Sequence, residues 1–171
     1  DRLGRLLEGR PEAEAEQFVL PSASLNRDMD EFVGGKNACL AETVNALAIP
    51  VPQGFALTTR AYSFFLEANA IPRKIAAMAS LSPEEQAGRI AELFVLENMP
   101  PSLKMDIDLQ VERLAAATGS PLFAVRSSAV GEDGEHSFAG QFVSYLHVAP
   151  QDVARRCLQV MASRFSASLL R

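Results

Sequence analysis

Apolar residues recur at helical spacing through the middle of the chain, and short apolar runs lie on either side of this region. The spacing predicts five helices, at about residues 36–48, 60–69, 82–98, 102–117 and from 152 onward. The runs predict short strands at residues 54–57, 122–125 and 142–148, and a strand or extended arm at 18–21. The order of these elements predicts an α+β fold in which helices dominate the middle.

The same periodicity predicts which face of each helix is buried. The expected inward side chains, in chain order, are Leu40, Val44, Leu47, Ala48, Tyr62, Phe65, Leu66, Ile90, Leu93, Phe94, Leu109, Leu114, Ala154, Leu158, Met161, Phe165 and Leu169. The run from Leu122 to Val125 has no polar member, which is typical of a strand covered on both faces.

Local signals mark three of the helix ends. Thr58 or Thr59 can cap the second helix, and Ser82, followed by Pro83 and two acids, begins the third. Gly119 follows the fourth helix, where a left-handed residue commonly ends a helix.

Composition and charge restrict the class of function. The 171 residues, 48% of them hydrophobic, fit one domain or two small lobes that share a core. The net charge of −5 gives no electrostatic support for binding nucleic acid or an anionic membrane. No apolar run reaches the ~18 residues that a membrane helix needs, and no signal-peptide pattern is present. We therefore expect a cytoplasmic protein in which a phosphate site is built locally.

The cysteines and histidines form no metal or catalytic motif. Cys39 and Cys157 lie far apart without a CxxC pattern, which favours two buried thiols in a reducing compartment. His136 and His147 show no HxH or HExxH spacing, so we interpret both as surface or half-buried residues. No metal site is predicted from these residues.

A glycine turn precedes the first predicted helix. Gly34 and Gly35 let the backbone approach an anion, and the helix start that follows offers unpaired amides. Lys36 adds a positive charge that can reach phosphate oxygens. The pattern is neither GxxxxGK[ST] nor GxGxxG, so a glycine turn before a solvated lysine is the alternative interpretation.

A second candidate lies at the end of the predicted strand 122–125. Arg126 and two hydroxyl residues, Ser127 and Ser128, follow this strand directly, and strand ends are where ligand groups collect in α/β sheets. An arginine that leaves a buried strand needs an anion or a carboxylate. Its partner is therefore either a ligand or a nearby acid such as Glu132 or Asp133.

A third candidate is the segment from Ser137 to Gln141, which contains Ala139 and Gly140. Small residues suit a loop that closes over a ligand through its backbone amides. The alternative interpretation is a flexible hairpin tip.

Together, these segments resemble a known family in their order and spacing. The sequences that carry the resemblance are VGGKNACLAE, IPVPQGFALTTRAYSFFL and FAVRSSAVGEDGEHSFAGQFVSYLHV, within about residues 30–150. They resemble the N-terminal nucleotide-binding domain of phosphoenolpyruvate synthase and pyruvate, phosphate dikinase. Each motif alone is weak, and the specificity of the match comes from all three in sequence.

The resemblance implies an ATP-grasp-like fold, in which nucleotide lies between two α+β lobes. Residues 30–171 would form the N-terminal part of that domain, and residues 1–29 an upstream linker or helix tail. The implied ATP-binding residues are Gly34, Gly35, Lys36, Arg126, Ser127, Ser137, Ala139, Gly140 and Gln141. Lys36 and Arg126 would be the catalytic pair on the phosphates, and residues 137–141 the lid loop.

The resemblance also implies a reaction in which ATP phosphorylates a histidine on a separate domain of the parent chain, which then phosphorylates pyruvate. The implied partners are ATP, that phosphohistidine domain and Mg²⁺, whose ligands would lie beyond residue 171. We therefore expect little or no catalysis from these residues alone, and uncovered apolar surface leaves room for a homodimer.

These residues do not identify the molecule that finally accepts the phosphoryl group. A rifampin- or glucan-type phosphotransferase would carry the same nucleotide domain. A non-catalytic nucleotide-binding or docking module in a regulatory fusion is the alternative from a different class.

Overall fold

The computed structural model describes residues 17–128 and 143–166, which form helices and two small antiparallel sheets. The strands are β1 (Val19–Pro21), β2 (Phe55–Leu57), β3 (Phe123–Arg126) and β4 (Ser144–Val148). The α-helices are α1 (Asp30–Val33), α2 (Gly35–Leu47), α3 (Thr59–Ala68), α4 (Ile71–Ala76), α5 (Pro83–Ala91), α6 (Pro101–Thr118) and α7 (Val153–Ala162). Short 3-10 turns occupy Ser22–Ser24, Arg27–Met29, Leu96–Asn98, Pro150–Asp152 and Ser163–Phe165. This mixture confirms the predicted α+β class.

Each sheet contains two strands and depends on the helices packed against it. β1 pairs with β2, and β3 pairs with β4, where Arg126 lies opposite Ser144. The β3–β4 ladder contains a register shift, and His147 on β4 has a left-handed φ of +55°. Because a two-stranded ribbon is marginal by itself, the contacts of α7 with β3 and β4, and of α6 with β1, stabilise both sheets.

The main hydrophobic core lies among helices α3 to α7. Its large, fully buried side chains are Phe65, Ile71, Ile90, Leu103, Ile107 and Leu158. The ring centroids of Phe65 and Phe94 are 5.0 Å apart, and those of Phe94 and Phe165 are 5.8 Å apart. Each such side chain contributes about 1.5–3 kcal/mol when it is fully buried.

A second, smaller cluster joins the start of the described chain to α1 and α2. Its buried members are Leu20, Leu25, Met29, Val33, Ala41 and Ala56. Three of them precede residue 30, so the segment 17–29 packs against the helices that follow it. The domain boundary at residue 30 itself stays a prediction.

The helix ends that local signals predict are confirmed. Thr58 caps α3, because its hydroxyl accepts the Ala61 N–H at 3.2 Å; it also donates to the Gln17 carbonyl at 2.7 Å. Ser82 is the N-cap of α5. Gly119 ends α6 in the left-handed conformation, with φ +65°.

The predicted buried face of α2 is wrong. Leu40, Val44 and Leu47 are 50%, 41% and 65% exposed, and the exposed Ala48 is the left-handed C-cap. The buried residues of α2 are Ala38 and Ala41. Small side chains let the helix backbone lie close to its neighbours, so this face packs although it carries little apolar area.

Three further expectations need correction. Leu109 is 41% exposed, because the buried row of α6 contains Leu103, Ile107 and Val111. α5 ends at Ala91 rather than near residue 98, where the chain tightens into successive i→i+3 turns. On β3 Ala124 is exposed, so the strand is not covered on both faces.

The other inward side chains predicted for the second, third and fifth helical patterns are confirmed as far as the structure describes them. They are buried or packed against the main core: Tyr62, Phe65, Leu66, Ile90, Leu93, Phe94, Ala154, Leu158, Met161 and Phe165. Leu169 lies outside the described residues.

The two cysteines are free thiols in different surroundings. Cys157 is buried on α7, whereas Cys39 is exposed on α2, so the expectation of two buried thiols is wrong for Cys39. Leu40, the next residue of α2, is exposed as well. None of the helices in residues 17–128 and 143–166 combines the length and apolar character that crossing a membrane requires.

Candidate functional site

Gly34 shapes the turn between α1 and α2. Its backbone has φ +80° and ψ 155°, a conformation that is essentially restricted to glycine. Its N–H donates to the Asp30 carbonyl at 2.9 Å, and its own carbonyl accepts from the Ala38 N–H at 3.2 Å. The turn therefore ends one helix and begins the next within a single residue.

Ser128 contacts this turn from the far end of β3. Its hydroxyl oxygen accepts the backbone N–H of Asn37 at 3.1 Å. Asn37 is the third residue of α2, and the N-cap of that helix, Gly34, has no side chain with which to accept this hydrogen bond. Ser128 thus does for α2 what an N-cap side chain normally does within one helix.

The contact brings together two of the three candidate segments. Lys36 lies between Gly34 and Asn37, and Ser128 follows Arg126 by two positions. The side chains of Lys36 and Arg126 are both exposed, whereas Ser127 is buried. The segments that carry the two cations therefore meet, and the role of those cations at a ligand stays a prediction.

The start of α2 favours negative charge. The positive end of the helix dipole, about half an elementary charge, lies beside Lys36. The first turn of the helix contains no acidic side chain that would neutralise this charge. Asp30 and Glu31 on the preceding helix are the acids nearest in sequence. The Asn37 side chain is engaged with the Val33 carbonyl at 2.9 Å, which holds the turn in place.

The described residues offer no ligand set for a metal. In residues 17–128 and 143–166, no three His, Cys, Asp or Glu side chains lie close enough to hold an ion together.

The third candidate segment lies outside the described residues. This applies to Ser137, Ala139, Gly140 and Gln141, and also to Glu132, Asp133 and His136. Their roles stay predictions, including the lid loop and the acidic partners of Arg126. His147 is exposed on β4, as the sequence predicts.

Ser128 is named in the sequence analysis at the end of a strand, but it is assigned no role in the site there. The available signal was the Gly34-Gly35 start of α2, since a helix that begins on glycines has no capping side chain of its own. Such a helix needs an acceptor from elsewhere, although its sequence does not say from which residue.

The fold and this turn define an α+β domain with a glycine-initiated helix start, a type of site that commonly receives anions. The chain belongs to the family described as pyruvate phosphate dikinase, AMP/ATP-binding domain, which matches residues 30–169.

Three relatives agree with this family assignment. A probable phosphoenolpyruvate synthase of Staphylothermus marinus is 35% identical over 80% of this chain and 18% of its own length. The phosphoenolpyruvate synthase of Pseudomonas aeruginosa is 37% identical over 88% of this chain and 20% of its own. The prodigiosin synthesizing transferase PigC of Serratia marcescens is 35% identical over 74% of this chain and 13% of its own. The chain thus spans about a fifth or less of the length of these relatives.

Proposed function

We propose that this chain is the ATP-binding portion of a phosphotransferase of the phosphoenolpyruvate synthase type. Membership in an AMP/ATP-binding domain family and the names of the relatives support this function. The structural observation that carries it is the contact of Ser128 with Asn37, which joins the segments of Lys36 and Arg126. In the full reaction, ATP would phosphorylate a histidine on another domain of the parent chain, and pyruvate would receive that group.

The chemistry needs little more from these residues than positioning and neutralisation of charge. Phosphoryl transfer spreads negative charge over the phosphate oxygens, and fixed cations stabilise it. Lys36 would supply a point charge and Arg126 a forked donor to different oxygens. Gly34, Gly35 and Ser127 would bring backbone groups close to the phosphates.

The proposed function also includes a second lobe, a lid and a metal ion around the nucleotide. In the proposed ATP-grasp-like arrangement a second lobe would lie over the nucleotide, and residues 137–141 would act as its lid. Mg²⁺ would be held by residues other than those that the structure describes. A cytoplasmic location and a homodimer also stay predictions.

A specific alternative exists for the substrate that finally accepts the phosphoryl group. The similarity to the prodigiosin synthesizing transferase PigC favours a second candidate, in which the same nucleotide domain serves a synthetic enzyme with another substrate. Both candidates share ATP binding at residues 34–36 and 126. Pyruvate-dependent ATP consumption by the full-length gene product would separate them.

The test of the shared step is ATP affinity in the full-length gene product. We expect Lys36→Ala and Arg126→Ala each to weaken ATP binding by about 10- to 100-fold, because each removes a charge-assisted contact to phosphate. Isothermal titration with ATP would measure the change.

Two exposed cations elsewhere provide matched controls. Lys104→Ala on α6, where the lysine pairs with Asp108, and Arg60→Ala on α3, where the arginine lies 3.9 Å from Glu67, should leave the affinity within about twofold. A wild-type protein that binds no ATP, or equal affinities in all four variants, would contradict the proposed function.

A further inference from the structure

We infer that Ser128 is a positioning residue, which fixes the start of α2 against the end of β3 and thereby sets how Lys36 and Arg126 face a shared phosphate group. The inference rests on the proposed function and adds to it a residue that acts through the backbone of others. Neither the family description nor the names of the relatives assign this role.

The hydrogen bond joins distant parts of the chain. Ser128 and Asn37 are 91 positions apart, and the bond between them ends on the third amide of α2. The amide of Asn37 follows directly after Lys36. A movement of Ser128 would therefore be transmitted to the helix turn that carries the lysine.

The contact is also sterically close. A Cβ atom built on Gly34 would lie 2.0 Å from the Ser128 carbonyl oxygen and 2.6 Å from its hydroxyl oxygen. Only a glycine leaves room for this approach, so the backbone of Gly34 lies directly against that of Ser128. We call this contact of Ser128 with residues 34–37 the joint. Two segments packed in this way have little freedom to slide past each other.

Both sides of the joint are held by other elements. Arg126 pairs with Ser144 in the β3–β4 ladder, and the intervening Ser127 is 7% exposed. On the opposite side, Asn37 holds the Val33 carbonyl through its side chain, and the neighbouring Ala38 is buried. Ser128 is thus the link between two ordered supports, each of which carries one cation.

A second serine offers a comparison within the same chain. The hydroxyl oxygen of Ser82 accepts the backbone N–H of Glu85 at 3.3 Å at the start of α5. The chemistry is the same, but Ser82 joins a helix to its own first turn. Removal of either serine should lower stability, whereas only Ser128 should affect the nucleotide.

The experiment measures ATP affinity and thermal midpoint for Ser128→Ala, Ser128→Thr and Ser82→Ala in the full-length gene product. We expect Ser128→Ala to weaken ATP binding by about 3- to 10-fold, the effect of losing one backbone hydrogen bond. Ser128→Thr keeps the hydroxyl and should restore the affinity to within about twofold of wild type. Ser82→Ala should lower the midpoint and leave the affinity unchanged.

A double-mutant cycle with Lys36→Ala separates positioning from general weakening. In a protein that already lacks the lysine, Ser128→Ala should change ATP affinity by less than about twofold, because no pair of cations remains whose relative placement the serine sets. If Ser128→Ala instead has no effect on affinity, or has the same effect with and without Lys36, Ser128 is only structural and the inference is wrong.

The outcomes distinguish this inference from the function on which it rests. ATP binding that depends on Lys36 and Arg126 but not on Ser128 would leave the proposed function intact and overturn the positioning role. Absence of ATP binding in wild type would overturn both.

Discussion

Cys39 and Cys157 are both free, yet their surroundings give them different reactivity. Burial raises the pKa of the Cys157 thiol to about 12, so it carries almost no thiolate near neutral pH. We expect iodoacetamide at pH 8 to modify Cys39 in the native protein and Cys157 only after denaturation, as peptide mass mapping would show. Cys39→Ser should abolish native labelling, and rapid native labelling of Cys157 would contradict its burial.

Gly34 has a backbone conformation and a neighbour that both exclude a side chain. Gly34→Ala should destabilise the protein by about 1–3 kcal/mol or more, since strain at φ +80° adds to the overlap with Ser128. Gly88→Ala on α5 is the matched control, because an added Cβ there meets nothing within 4 Å. We expect this control to stabilise by about 0.5–1 kcal/mol in chemical denaturation. Equal effects of the two substitutions would show that the turn is not tightly packed.

The start of α5 is a capping box that responds to pH. Hydrogen bonds from the Ser82 hydroxyl, at 2.8 Å, and from its backbone N–H, at 3.0 Å, hold the pKa of Glu85 below its usual value. The folded state therefore prefers the ionised carboxyl, and the stability that it contributes is fully present above the usual glutamate pKa. That contribution is lost as the pH falls through the lowered pKa.

The corresponding experiment compares thermal midpoints of wild type and Glu85→Gln between about pH 6 and pH 3. The difference in thermal midpoint between wild type and Glu85→Gln should stay constant at the upper end of this pH range and shrink as the pH falls. A difference that does not change with pH would mean that the carboxylate has no preferred partner in the folded state.

Helix ends could be predicted from the sequence, whereas the packed faces of two helices could not. Thr58, Ser82 and Gly119 act on amides or carbonyls a few positions away, so their residue types are sufficient. The buried face of α2 depends on what lies against it in space. The periodicity predicted that large residues such as Leu40 point inward. The buried residues of α2 are instead the small Ala38 and Ala41.

Across the molecule, the α+β class could be predicted from the order of the helical and strand patterns, and the family because three motifs occur in a fixed order. The joint at Ser128 could not, since the helix that needs a cap and the residue that supplies it share no local pattern. The sequence identified the two cation-bearing segments separately, and the structure shows that Asn37 and Ser128 connect them. The contribution of residues 137–141 stays a prediction.

The long separation between the two halves of this joint has a consequence for how the protein is made. A ribosome adds about 5–20 residues per second, so α2 is synthesised roughly 5–20 s before the serine that caps it. During that interval the first turn of α2 lacks the acceptor that Ser128 supplies to the Asn37 amide. The contact between α2 and the end of β3 can therefore form only after residue 128 has been translated, and a pause in translation before that residue prolongs the period in which the helix start is uncapped.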